Sequence, residues 1–505
     1  MIRCHELFTD NMILQRDKRV CVWGECDQTD EISVSIDGVI VKVHPSDGRW
    51  KAFLPEHKAG GPYTMSVAQG NNTIVFSQVV YGEVFLASGQ SNMELELKDS
   101  ENGEAESLMY SNRDIRFYNV LKTGHIDEQV MEQINSCRWE SCVDGKSGRM
   151  SAVAYYAAKR IYDELKVPVG IIDCYQGGTS IASWLPEEIL KEYELGRSRI
   201  EEYSALVGDK TDEEYDREVE EYWKEWHRWD DAVRKVKENN PYASYEEITV
   251  VAGECPWPQP AGRKSVFRPS GCYESMIKRT MPYTIRGIWY YQGESDEDKA
   301  KDYLPVMEAL IADWRKHFED EELYFVITQL PVYIEKNASD SGSWAVIRDS
   351  QLKIYEKLKN IGFLSIADCG ELGNIHPVDK KTPGTRLGEL VLEDVFYCDT
   401  CGKAMLALNA YKQGNEVIIE CGNTYGKISV VDKSDNTYLM EFETSVDGEK
   451  YTVCQFKVFE NKIILSGDKV AEASYVRYGW KNYGIVTIYN AAGNPLAPFG
   501  PKKIG

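Results

Sequence analysis

Hydrophobic and polar positions change rhythm twice along the chain. From Leu7 to about Gln78 short alternating runs at 19–24, 32–36 and 64–67 are separated by Asp-Gly turns at 37–38 and 47–48. Alternation with period two marks half-buried strands, and Asp-Gly is a favoured hairpin turn, so this segment predicts part of a β-sandwich with too few strands to close alone. From Gly82 the apolar runs become continuous, at 84–87, 169–175, 285–291, 323–330 and 361–368. Such runs read as strands buried on both faces. Helical patterns lie between them: Val153, Ala157, Ile161 and Leu165 form a stripe at four-residue steps ending before Pro168, and a second pattern covers 303–317. Strands alternating with helices predict a mostly parallel sheet with right-handed crossovers. From about Asn415 alternation returns, at 417–419, 427–430 and 485–489. The tail is expected to complete the sandwich begun at the N-terminus. The division that follows is 1–80 for the first part of the sandwich, 81–397 for an α/β domain, and 398–505 for the closing β segment.

Inside the α/β region the composition shifts after Pro186 to Glu, Lys, Tyr and Trp, which predicts an acidic helical insertion at about 187–250. Its Tyr222, Trp226 and Trp229 either line a sugar site or pack the helix down. Pro256, Pro258 and Pro260 mark a rigid return to the core.

A chain of 505 residues predicts two to four domains, and 43% hydrophobic with 11% aromatic residues supplies folded cores. A formal net charge of -23 disfavours nucleic acid and anionic membrane surfaces as partners. No run approaches the ~20 apolar residues of a membrane span, and residues 1–8 hold no apolar signal core, so a cytoplasmic location is expected. Thirteen cysteines without regular spacing read as reduced thiols. The lone Cys398-Asp399-Thr400-Cys401 lacks a second pair, and no metal site is expected from it.

Four strands of the α/β region run out into polar or glycine-rich loops: 88–93, 176–180, 292–295 and the loop carrying His376 and Pro377. In an open parallel sheet these loops rise from one edge, where such folds place their chemistry. Ser91 is either a helix cap or a nucleophile. A serine nucleophile needs a base that titrates near neutrality, which points to histidine. His5, His44 and His57 lie in the N-terminal β segment, His227 and His317 in charged helices, and His125 outside any strand context. His376 alone follows a core strand. The backbone N–H of Ser91, a glycine N–H at Gly178 and the side-chain amide of Gln292 come from three strand ends and are candidate oxyanion donors.

These residues bring a resemblance into view. Gly89-Gln90-Ser91-Asn92-Met93-Glu94, Gly177-Gly178-Thr179 with Trp184, Trp289-Tyr290-Tyr291-Gln292-Gly293-Glu294-Ser295, and Ile375-His376-Pro377 followed by Lys380 and Gly384-Thr385-Arg386-Leu387 resemble the sialate O-acetylesterase type of carbohydrate esterase. That type is a branch of the SGNH hydrolases. The opening residues 7–15 and closing residues 476–480 resemble its flanking β domain. The resemblance implies a flavodoxin-like three-layer core with a parallel sheet, Ser91 as nucleophile, His376 as base, and Gly178 with Gln292 as oxyanion donors. It implies hydrolysis of acetyl esters on sugar hydroxyls, with Trp184 and Glu294 at the sugar, sialic acid esters first and xylan or mannan fragments second. No metal or organic cofactor is called for, and the oligomeric state stays open, a homodimer included. The acid stays open, because the position three before the histidine is Gly373. Asp368, Glu371 and Glu294 are the candidates, with Asp368 preferred, and a Ser-His pair without an acid is the alternative. Two rivals remain: an ordinary α/β-hydrolase, whose Gly-x-Ser-x-Gly elbow would need glycine where Met93 stands, and a glycan-binding protein with an idle serine.

Overall fold

The computed structural model describes residues 1–240, 243, 245–432 and 438–505. Its organising element is one 18-residue strand, Asn72–Gly89. The first half pairs antiparallel with Gly60–Gln69, and the second half lies in parallel between Val169–Tyr175 and Gly287–Tyr291. The expected boundary between residues 80 and 81 therefore falls inside a continuous strand. The sequence changes there from alternating to wholly apolar because the strand leaves a half-exposed ladder and enters a sheet covered on both faces.

The parallel sheet runs in the order Asn112–Asn119, Val169–Tyr175, Asn72–Gly89, Gly287–Tyr291, Tyr324–Gln329, Ile361–Ser365, with Glu140–Cys142 antiparallel on the outer edge. Successive residues of a strand point to opposite faces. On Gly287–Tyr291, Trp289 stacks on Phe85 at 4.6 Å while Tyr290 meets Trp314 edge-on at 5.7 Å. Trp314 belongs to helix Tyr303–His317, so that helix covers the Tyr290 face. Each such fully buried ring contributes about 1.5–3 kcal/mol of hydrophobic stabilisation. A second helix pair, Ala152–Leu165 and Lys381–Phe396, packs closely because Gly384 and Gly388 stand against Val153 and Ala157. From the Asn72–Gly89 strand the next sheet neighbours lie on opposite sides, which opens a crevice at its carboxyl end. Ser91 stands there.

The N-terminal turns are as the dipeptides predict: Asp37 and Gly38 take positive φ of 46° and 76° and join Ile32–Ile36 to Val39–Val43. The C-terminal strands, however, do not complete that β segment. They form a seven-stranded sheet of their own, ordered Leu406–Gln413, Glu416–Gly422, Lys462–Ser466, Thr452–Phe459, Phe442–Ser445, Tyr475–Tyr478, Phe499–Lys503. Among the described residues no ladder joins it to residues 1–80. The physical reason is the long strand, which carries the N-terminal ladder onto the core shared with Val84, Phe85 and Leu86. The tail instead buries Val417, Phe442, Ile463 and Val476 in a separate core with Leu352 and Phe363. It docks on helix Ser343–Lys357 through buried Arg348, which donates to the carbonyls of Gly479 at 3.2 Å and Asn482 at 3.3 Å.

The insertion is helical as expected, with Glu194–Val207, Asp212–Asn239 and Tyr245–Ala252. Positions 241, 242 and 244 of it lie outside the described residues. Its aromatics take the packing role: Tyr222 is buried, Trp226 lies 5.5 Å from Trp223, and Trp229 Nε1 donates to the Gly253 carbonyl at 3.1 Å. Among the described residues no helix is long and apolar enough to cross a membrane. All thirteen cysteines are free, and among the described residues no cluster of three or more His, Cys, Asp or Glu is arranged to hold a metal ion.

Candidate active site

Gly89 ends the long strand at φ 131°, and a Cβ there would lie 2.0 Å from the Tyr291 carbonyl oxygen. Only glycine lets the chain turn this close to its neighbour. The turn delivers Ser91 as the first residue of the short helix Ser91–Glu94, whose N-cap is Gln90. Ser91 therefore caps nothing. Its Oγ lies 2.7 Å from Nε2 of His376, 285 positions along the chain. The N–H of Ser91 heads the helix and has no intrahelical acceptor.

Asn92 locks this pair in place. Buried to 1% exposure, its Nδ2 donates to Glu294 Oε1 at 2.8 Å and to the Ile375 carbonyl at 3.0 Å, while its Oδ1 accepts from Lys380 Nζ at 2.6 Å. One amide thus joins the Ser91 helix, the 292–295 loop and the histidine loop. Within that last loop the His376 N–H donates to Asn374 Oδ1 at 3.0 Å. Glu94 performs the matching task on the other side, its carboxylate accepting the Gly177 N–H and the Lys122 ammonium. Gly178 follows with φ 73° and stands at the edge of the crevice.

The charges around the pair favour a neutral base. Loss of water around the ring, followed by the positive charge of Lys380, lowers the His376 pKa from 6.5 to about 4. His376 is itself exposed, so solvent moderates that shift. Burial lowers Lys380 to about 8 and raises Glu294, whose second oxygen Oε2 is buried without a partner.

Several expected roles do not survive the geometry. Gln292 spends both amide hydrogens on the Thr179 carbonyl at 3.2 Å and Asp296 Oδ2 at 2.6 Å, and its Oε1 accepts from Tyr303 at 2.9 Å. Turning the amide over would set its oxygen against a carboxylate, so no donor is left for an oxyanion. Gln292 braces the loop. Trp184 is fully buried, packs 6.3 Å from Trp314 and donates Nε1 to Thr179 Oγ1 at 3.0 Å, so it cannot flank a sugar. Asp368 accepts both arms of Arg386 at 2.7 and 2.8 Å rather than facing His376. Glu371 accepts from Asn374 at 2.9 Å, and Glu294 acts through Asn92 instead of at the sugar. None of the three acids bonds the imidazole. Asp368→Asn is therefore expected to leave in place any pH dependence that His376 carries. Thermal unfolding should show a loss of about 1–3 kcal/mol, because Arg386 is left without its bidentate partner.

Asn92 and Glu94 escaped sequence reasoning, although both stand in the motif that carries Ser91, because nothing local says where an amide or carboxylate will reach.

A model of the carbohydrate esterase family of sialic acid-specific acetylesterases matches residues 261–392. Sialate O-acetylesterase of Mus musculus is 26% identical over 419 residues, covering 75% of this chain and 71% of that protein. The Rattus norvegicus protein of the same name is 27% identical over 416 residues with the same coverage. Among solved structures, a carbohydrate acetylesterase from Xanthomonas citri superposes with a TM-score of 0.74 at 24% identity, covering 99% of both chains. The shared fold extends over the N-terminal ladder and the C-terminal sheet as well as the central α/β unit.

Proposed function

We propose that this chain is a carbohydrate esterase of the sialate O-acetylesterase type, to which it is similar, and that its activity is serine-dependent and removes acetyl groups from sugar hydroxyls in an SGNH-type α/β core. The observation that carries this reading is the 2.7 Å contact between Ser91 Oγ and His376 Nε2 at the crevice of the parallel sheet. His376 takes the Ser91 proton as Oγ attacks the acetyl carbonyl. The N–H groups of Ser91 and Gly178 receive the oxyanion. The imidazolium then protonates the departing sugar oxygen, leaving an acetyl-enzyme and a free hydroxyl. Water, deprotonated by the same histidine, attacks the acetyl carbon and releases acetate and Ser91. Among the described residues no carboxylate is bonded to the imidazole, so a Ser-His pair operates, with Asn92 fixing the loop and solvent reaching the exposed ring.

Sialic acid esters are the first substrate class, in keeping with the family model and the named relatives. One observation favours neutral acetylated oligosaccharides as a second. Lys122 is paired with Glu94 and buried Lys380 with Asn92, so a sugar carboxylate would have to share either lysine with a partner already in place. A serine-directed phosphonate is expected to label Ser91, and acetate release is measured across acetylated sialic acid, xylan and mannan fragments. Acetate release that persists with Ser91 unlabelled rules out the serine mechanism. Faster release from the neutral fragments selects the second class.

A further inference from the structure

Trp257 has no part in the reaction described so far, yet it stands at the site. The residue is 54% exposed. A Cβ built on Gly178 would fall 2.3 Å from its Cη2 and 2.7 Å from its Cζ2, so the benzo edge of the indole rests on Gly178 itself. The preceding Gly177 lies against the nucleophile, a Cβ there falling 3.3 Å from Ser91 Cβ. The strand that delivers this glycine loop and the strand that delivers His376 lie on opposite sides of Asn72–Gly89. Trp257 therefore walls the crevice across from the base.

The ring is held from behind. Phe267 meets it nearly perpendicular, at 5.3 Å and 86°, and the Phe267 carbonyl accepts from Ser183 Oγ at 3.4 Å. Beyond Trp257 the segment is fastened to the insertion helices: Tyr203 Oη donates to the Gly262 carbonyl at 3.0 Å and accepts its N–H at 3.1 Å, and Lys210 donates to the Ala261 carbonyl at 2.9 Å. An aromatic ring fixed in advance loses little freedom when a ligand covers it. Large rings with a rigid backing and open surface suit flat apolar partners, and a pyranose offers one in its C–H face.

We propose that Trp257, backed by Phe267, is the subsite for the sugar ring that carries the acetyl ester, laying the ring on the indole with the ester carbonyl toward Ser91. The assignment rests on the esterase reading and gives the acidic insertion its purpose, which is to hold this wall in place. In Trp257→Ala the ratio of kcat/KM for an acetylated xylo-oligosaccharide or acetylated sialic acid to that for 4-nitrophenyl acetate should fall roughly 3- to 10-fold. Trp257→Phe should recover most of it. Equal loss on all three esters overturns the subsite and leaves Trp257 a support for the Gly178 loop. A second arm separates the subsite from the esterase reading. Calorimetric titration of Ser91→Ala with the same saccharides should give a Kd that Trp257→Ala weakens by a similar factor. An unchanged Kd, or no binding in Ser91→Ala, overturns the subsite, whereas absence of acetate release by the wild-type protein overturns the esterase reading.

Discussion

Ser91→Ala is expected to lower acetate release by at least about 10⁴-fold while the protein remains folded. The size of the loss follows from the proposed covalent step, since among the described residues the hydroxyl bonded to His376 Nε2 is that of Ser91. Folding is spared for reasons visible at the same residue. The turn of helix Ser91–Glu94 is closed by backbone bonds from Met93 and Glu94 to the Gln90 carbonyl, both 2.9 Å, and Oγ caps nothing. Asn92 and Glu94 still fasten the helix to the loops on either side. The loss should therefore sit in kcat, with the unfolding temperature shifted little and saccharide binding retained by calorimetry. Turnover within tenfold of wild type would assign the attack to another group.

The parts of this site that could be read from sequence are those set by local pattern and residue type. Continuous apolar runs gave the strand Val169–Tyr175 and the four-residue stripe gave helix Ala152–Leu165, because periodicity records which faces are buried. That Ser91 and His376 would meet was legible because only a histidine after a core strand could reach that serine and topology restricts strand ends to one edge. Partner choice was not legible. Alternation at 417–419 says that a strand is half-buried but not against which sheet, so the tail was joined to the wrong β segment. Strand Asn112–Asn119 carries Arg113, Asp114 and Arg116 near the sheet edge and gives no continuous run. Side-chain reach was lost in the same way. Trp184 and Trp257 are both tryptophans near Gly178, and only tertiary packing decides that the first is buried against Trp314 and the second faces the crevice. Asp368 was preferred for its position, yet Arg386, one helix later, captures it.

His376→Gln is the companion test, because glutamine retains a polar contact with Ser91 Oγ at position 376 and cannot accept its proton. The loss should again reach about 10³- to 10⁴-fold in kcat. It should also erase a feature that serine replacement cannot interrogate, the acid limb of the pH profile. The base works only when neutral, so activity falls as pH drops through the pKa of His376 in the folded protein. That pKa is depressed, by loss of water and then by Lys380, from 6.5 toward about 4, and the limb is accordingly expected between these values rather than above them. The residual activity of His376→Gln should show no step in that window. Lys380→Met removes the positive charge that disfavours the imidazolium, so its limb should move upward toward 6.5. A limb that stays put in Lys380→Met, or persists in His376→Gln, would mean that the titrating group lies elsewhere, and the contact at Ser91 would then be positional rather than chemical.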